Sequence, residues 1–179
     1  MGVKNKARLA KEASRQLAVL EPQQINTALV CMAQELEMGR SHILQANLKD
    51  LDAVDRVGIT GAFRKRLALS EAKVNGMVQA LREMAELPCS LGETIETITR
   101  PNGLIIKKVR VPFGVIGIIY ESRPNVTSDA AGLCIKSGNA TVLRGGSEAR
   151  NSNMAIAGLL RDGLEKAGVS KECVQYIDN

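Results

Sequence analysis

The chain has 179 residues, with 24 Lys and Arg against 19 Asp and Glu and a formal net charge of +5, a length that fits one domain or one domain and part of another. Its basic excess is spread evenly, and the two densest clusters, Arg64-Lys65-Arg66 and Lys107-Lys108 with Arg110, read as solvated faces, which sets nucleic-acid binding aside. With two Phe, two Tyr and no Trp, the 45% of hydrophobic residues has to build an aliphatic core.

Residues 1–91 read as helical. Val3, Ala7, Ala10, Ala13, Leu17 and Leu20 recur at three- and four-residue steps. Pro22 suits the first turn of a second helix that carries Ile25, Leu29, Met32 and Leu36. Gly39 interrupts it, and Ile43, Leu44, Leu48 and Leu51 continue on a third. A loop with two glycines is expected over Val57–Ala62. Ser70 then caps a helix presenting Val74, Met77, Leu81 and Met84 before Pro88. These stripes read as packing surfaces.

The period changes over 92–111. Thr94–Arg100 and Leu104–Val111 are rich in Ile, Thr and Val and flank the turn signal Pro101-Asn102-Gly103, which predicts a β-hairpin. It reads either as an association surface or as an ordinary two-stranded flap. Lys107, Lys108 and Arg110 leave part of its second strand solvated.

Residues 112–179 read as the start of a parallel α/β sheet. Val115–Tyr120 is an apolar run without alternation, as expected of a strand covered on both faces. Ala140–Leu143 is a second strand and Cys173–Ile177 a third. Between them lie a helix over Thr127–Ser137, with Thr127 as its N-cap and Gly138-Asn139 as its stop, and another over Glu148–Ala167 carrying Met154, Ile156, Leu159, Leu160 and Leu164 before Gly168. The loops Glu121–Val126 and Arg144–Ser147 then emerge at the carboxyl edge, where open α/β sheets hold ligands.

Each loop carries a candidate site. In Arg144-Gly145-Gly146-Ser147, two glycines let backbone approach a ligand, Ser147 caps the next helix, and Arg144 adds a fork suited to phosphate. The alternative is a turn that needs glycine for geometry alone. In Glu121-Ser122-Arg123-Pro124-Asn125, Arg123 can hold a carboxylate or phosphate and Asn125 can donate to a developing oxyanion. The alternative pairs Arg123 with Glu121 or Asp129. Cys31, Cys89, Cys134 and Cys173 lack zinc spacing, and the lone His42, on a polar helix position, completes no metal site. Cys31 and Cys134 read as buried reduced thiols. No stretch resembles a signal peptide or a membrane span, so a cytoplasmic protein is expected.

The stretch VPFGVIGIIYESRPNVTSDAAGLCIKSGNATVLRGGSEA resembles the γ-glutamyl phosphate reductase family of the aldehyde dehydrogenase superfamily. The likeness extends upstream through ILQANLKDLDA, LREMAELPCSLGE and PNGLIIKKVRVPFG. It implies an aldehyde-dehydrogenase-like α/β fold with an incomplete Rossmann-type sheet preceded by helices and a hairpin. Residues 1–91 would be the helical part of a cofactor-binding domain, 92–111 an oligomerisation flap, and 112–179 the beginning of the dinucleotide-binding sheet. The implied chemistry is NADPH-dependent reduction of L-glutamate 5-phosphate to the semialdehyde in proline biosynthesis, by a homo-oligomer. On that likeness Arg144, Gly145, Gly146 and Ser147, with Glu121 and Ser122, border NADP(H), and Arg123 and Asn125 face substrate. Ser147 replaces a Glu of NAD-preferring relatives that would repel a 2′-phosphate. The family's catalytic cysteine belongs downstream of Ile177, so an inactive amino-terminal fragment is expected. The competing readings are a non-catalytic NADP-binding or interaction subunit and a piece of a bifunctional pyrroline-5-carboxylate synthetase.

Overall fold

Five helices open the fold in the computed structural model, which describes residues 2–178: α1 (Val3–Leu17), α2 (Pro22–Met38), α3 (Arg40–Arg56), α4 (Gly61–Leu67) and α5 (Glu71–Glu86). The cause of the α2 start is visible. Pro22 occupies its first turn, and Glu21 and Gln24 form a reciprocal capping box in which Gln24 Oε1 accepts from the Glu21 N–H at 3.1 Å. Ser70 caps α5 as expected, its hydroxyl accepting from the Lys73 N–H at 3.3 Å.

The apolar stripes hold at their centres and fail at their ends. Ala10, Ala13 and Leu17 are buried on α1, whereas Val3 and Ala7 are exposed. On α3 the buried line is Ile43, Asn47, Asp50 and Val54, so Leu48 stands 60% exposed. Two polar side chains thus occupy core positions. The expected loop over Val57–Ala62 ends at Thr60, because Phe63 and Leu67, four residues apart, fold α4 onto Leu51, Val54 and Ala149.

The hairpin forms where expected, from β1 (Thr94–Thr99) and β2 (Ile105–Val109), paired antiparallel. Gly103 takes the left-handed conformation the turn requires, with φ at +83°. Both strands are exposed along their whole length, not only around the basic residues.

The parallel sheet has the order β3 (Val115–Ile119), β4 (Ala140–Arg144), β5 (Val174–Tyr176). Helix α6 (Asn125–Lys136) joins the first pair, and α7 (Arg150–Lys166) leads to the third strand. Helix α1 lies across all three strands, while α6 packs on β4 and α7 on β5. The central core joins α2, α5, α6 and α7 with this sheet, and Leu29, Met32, Leu81, Ile135, Leu143, Ile156 and Leu160 are all sealed from solvent.

Four expectations are corrected in this part of the fold. Strand β3 is not covered on both faces: it is the sheet edge, Gly117 is exposed and Ile119 is 86% exposed. Thr127 is not a cap, because Pro124 already starts the helical backbone, and Thr127 lies fully buried two residues inside α6. Ser147 does not cap α7 either. It begins a 3₁₀ turn, Ser147–Ala149, and α7 starts at Arg150. Met154, placed on the α7 apolar stripe, is 44% exposed.

Candidate functional site at the carboxyl edge of the parallel sheet

Strands β3 and β4 deliver their loops to one rim. Ile119 pairs with Arg144 in the parallel register, and the Tyr120 N–H donates to the Arg144 carbonyl at 3.0 Å. Immediately beyond, Ser122 Oγ donates to Glu148 Oε2 at 2.6 Å and ties the two loops together. That bond is the main reason the Glu148 carboxyl is held below the usual glutamate range. Ser122 is therefore buried and turned inward, on a neighbour in its own chain.

The glycine pair serves this junction. A Cβ on Gly145 would overlap Asn153 Nδ2, and one on Gly146 would overlap the Ser122 hydroxyl and sit 3.0 Å from Glu148 Oε2. Neither has a positive φ. Glycine is required for close approach, as the sequence suggested, but the approaching group is protein.

Beneath the loops runs a buried polar chain. Tyr120 OH and Thr127 Oγ1 lie 2.6 Å apart, Thr127 Oγ1 donates to Asn153 Oδ1 at 3.0 Å, and Asn153 Nδ2 donates to Tyr176 OH at 3.3 Å. The Thr127 proton is used on Asn153, so Tyr120 is the donor in the first link. Burial pushes the Tyr120 phenol well up, which keeps that donor protonated.

The start of α7 is not open to an external anion. Asp50 Oδ1 accepts from the Asn151 N–H at 3.1 Å and its side-chain amide at 2.7 Å. Asp50 Oδ2 takes the N–H and hydroxyl of Ser152 at 2.8 and 2.6 Å. Ser152 Oγ in turn accepts from Asn47 Nδ2 at 3.0 Å. An internal carboxylate has filled the place where the helix dipole favours negative charge.

Basic groups instead rim a concavity of about 310 Å3 beside that helix start, lined by Arg144, Ser147, Arg150, Tyr176 and Asp178. Arg144 Nη1 donates to the Ile177 carbonyl at 3.2 Å, and Arg150 Nε to the Asp178 carbonyl at 2.7 Å. Lys6 Nζ reaches the Tyr176 carbonyl at 2.6 Å and Asp178 Oδ1 at 2.7 Å. Lys6 and Arg150 thus flank the Asp178 carboxylate, at 2.7 and 4.0 Å, and the Lys6 bond holds Asp178 below the usual aspartate range. An apolar continuation of about 350 Å3 follows the uncovered sheet face, lined by Gly117, Ile118, Ile119, Val142, Arg144 and Ile177.

On the other side of the loop, Arg123 and Asn125 line a separate groove of about 330 Å3 together with Lys65, Arg66 and Lys73. The open question on Arg123 resolves toward Glu121, at 3.5 Å between Nε and Oε2, both side chains at least half exposed. Such a pair contributes little and yields readily. Asn125 Nδ2 donates to Asp129 Oδ2 at 3.1 Å. Sequence reasoning dismissed Lys65 and Arg66 as a solvated face. The missed signal is Thr60 standing before a segment whose Phe63 and Leu67 share a helix face.

The thiols lie away from these concavities. Cys134 and Cys173 are buried, and desolvation raises both, Cys173 to about 12. Cys31 is half-buried, not buried, and Cys89 is also half-buried. All four are free. Among the described residues no helix is long and apolar enough to cross a membrane.

No protein-family model matches the chain. A γ-glutamyl phosphate reductase of Caldanaerobacter subterraneus is 49% identical over all 179 residues, which make up 43% of that protein. The crystal structure of γ-glutamyl phosphate reductase from Thermotoga maritima superposes with a TM-score of 0.96 at 39% identity, over 98% of this chain and 42% of that one. The Saccharomyces cerevisiae enzyme of the same name gives 0.92 at 30% identity, over 100% of this chain and 47% of that one. An NAD-dependent benzaldehyde dehydrogenase of Corynebacterium glutamicum shares the fold, with a TM-score of 0.72 at 21% identity over 94% of this chain and 34% of that one. The chain thus spans less than half the length of the relatives it matches. Along its whole length, by sequence and by fold, it is similar to part of the γ-glutamyl phosphate reductases.

Proposed function

We propose that this chain contributes the dinucleotide-binding part of an NADPH-dependent reduction of L-glutamate 5-phosphate to the semialdehyde, with release of phosphate. The observation that carries the reading is the basic-rimmed concavity at the shared exit of β3 and β4, in a chain 49% identical to named γ-glutamyl phosphate reductases. The residues present suit such a cofactor. Arg144 and Arg150 supply charge for phosphate groups, Ser147 places no carboxylate against a 2′-phosphate, and the Gly117–Ile119 face with Val142 offers an apolar bed. When bound, the reduced dinucleotide supplies the hydride. Arg144 stands between the polar and apolar hollows and lines both.

Glu121 and Arg123 stand at the mouth of the loop, with Arg123 and Asn125 on the substrate side. The sulfur that this chemistry requires is none of the four cysteines, which lie outside both hollows and of which two are sealed in the core. The 179 residues therefore bind cofactor without turnover. The exposed hairpin, with Ile95, Leu104 and Ile105 at least half uncovered, is the association surface of a homo-oligomer in the cytoplasm.

Titrating the purified chain with NADPH, followed by nicotinamide fluorescence, tests the reading. Binding should weaken at least about tenfold in Arg144→Ala, the loss expected of one charged phosphate contact. No binding, equal binding by the variant, or NADPH oxidation by the chain with an acyl phosphate would overturn it.

A further inference from the structure

We infer that Lys65 and Arg66 of α4, together with Lys73 of α5 and Arg123 after β3, form a groove that binds the phosphoryl group of a small phosphorylated carboxylic acid. This rests on the reductase reading above and assigns its substrate side to a segment outside the strand loops.

The groove is built. Leu67 is fully buried, and Phe63 packs on the same cluster, so the seven-residue helix α4 has one seating. Its carboxyl end is fastened by Lys73, whose Nζ donates to the Lys65 carbonyl at 3.0 Å and to the Ala68 carbonyl. Its three successive basic residues then divide. Arg64 is engaged by Asp55 through two bonds of 2.6 and 2.9 Å. Lys65 and Arg66 have no carboxylate partner among the described residues.

The charge balance selects the ligand. Four cations and no acid line about 330 Å3; Glu121, loosely held by Arg123, and Asp129, engaged by Asn125, touch its lining residues. Like charges gathered in one hollow create a potential that an anion relieves. Two Arg forks and the Asn125 amide match the oxygens of a phosphoryl group. The hollow holds no aromatic ring, unlike a groove for single-stranded nucleic acid. Its position also fits. The Glu121–Asn125 loop has this groove on one side, and its Ser122 touches Glu148, the neighbour of Ser147 in the basic-rimmed concavity. Phosphoryl group and dinucleotide would approach the loop from two sides.

The probe is phosphonobutyrate, a hydrolysis-proof phosphonate carboxylate, titrated into the 15N-labelled chain and followed by amide NMR. Shifts should map to Lys65, Arg66, Arg123 and Asn125. Affinity should fall at least about tenfold in the doubly exposed, non-structural variant Lys65→Gln/Arg66→Gln, while Lys49→Gln, at an exposed position of α3, stays within about twofold of the parent. The inference is overturned by shifts elsewhere, by parental affinity in the double variant, by equal shifts from sodium chloride at matched ionic strength, or by inorganic phosphate binding as tightly as phosphonobutyrate. An NADPH titration that fails while these shifts appear sinks the cofactor reading and leaves the groove standing. The reverse outcome sinks the groove alone.

Discussion

Asp50 and Ser152 lie 102 residues apart and share two hydrogen bonds, from the Ser152 N–H at 2.8 Å and from its hydroxyl at 2.6 Å, both into the same carboxylate oxygen. The contact pins α3 to the first turn of α7, and both residues are almost wholly buried. Asp50→Ala leaves the buried donors of Ser152 and the partly buried donors of Asn151 unmatched. We expect a loss of about 2–4 kcal/mol in urea unfolding, from a lost cap plus unsatisfied groups. Asp50→Asn, which keeps one acceptor, should lose less. Equal stability of all three proteins would show that water replaces the carboxylate.

The loop junction makes a paired prediction. Gly146→Ala should cost about 1–3 kcal/mol through overlap with Ser122 and Glu148. Ser122→Ala removes the hydroxyl that the new methyl would strike, so the double variant should lose less than the sum of the two single changes. Strict additivity in thermal or urea unfolding would mean the collision is relieved elsewhere.

Along the buried polar chain, Thr127→Val keeps the shape and removes both hydrogen-bonding roles of the hydroxyl. Tyr120 and Asn153 are left without that partner, and we expect a loss of about 1–3 kcal/mol. Thr127→Ser should retain most of the stability. Finding the Val variant as stable as the Ser variant would remove Thr127 from the network.

Acid should loosen the loops before it unfolds the protein. The Glu148 carboxyl is depressed, first by the Ser122 hydrogen bond, so its folded value lies below its unfolded one of about 4.3. Its contribution is complete above the unfolded value and disappears as pH falls through the folded one. Amide exchange at Ser122 and Gly146, corrected for the intrinsic pH trend, should therefore gain amplitude below about pH 4, and Glu148→Gln should abolish the change. An unchanged profile in the Gln variant would place the titration on another group.

Period and turn chemistry carried most of the architecture. The hairpin follows from Pro101-Asn102-Gly103 between β-branched runs, and the parallel unit follows from two apolar runs separated by a helix-length segment. What escaped has two physical sources. Helix α4 is seven residues long, too short for periodicity to register, and it stands because Leu67 finds a site on distant residues. Ser122, Thr127 and Ser147 have several possible hydroxyl partners, and only tertiary contact selects among them. Asp50 and Asn47 could have been noticed, since both fall on the line through Ile43 and Val54 where a core helix would carry apolar residues. Polar side chains in that line signal a buried partner elsewhere in the chain.

The facing of Ile119 and Arg144 across the parallel ladder makes the two hollows inseparable. Side chains alternate across a strand, so deleting one residue within β4 would turn Leu143 toward the concavity and bury a guanidinium beneath the sheet. Variation that adjusts ligand preference on this scaffold is thus confined to substitutions and to lengths beyond the strand ends, while the ladder itself tolerates no change of count.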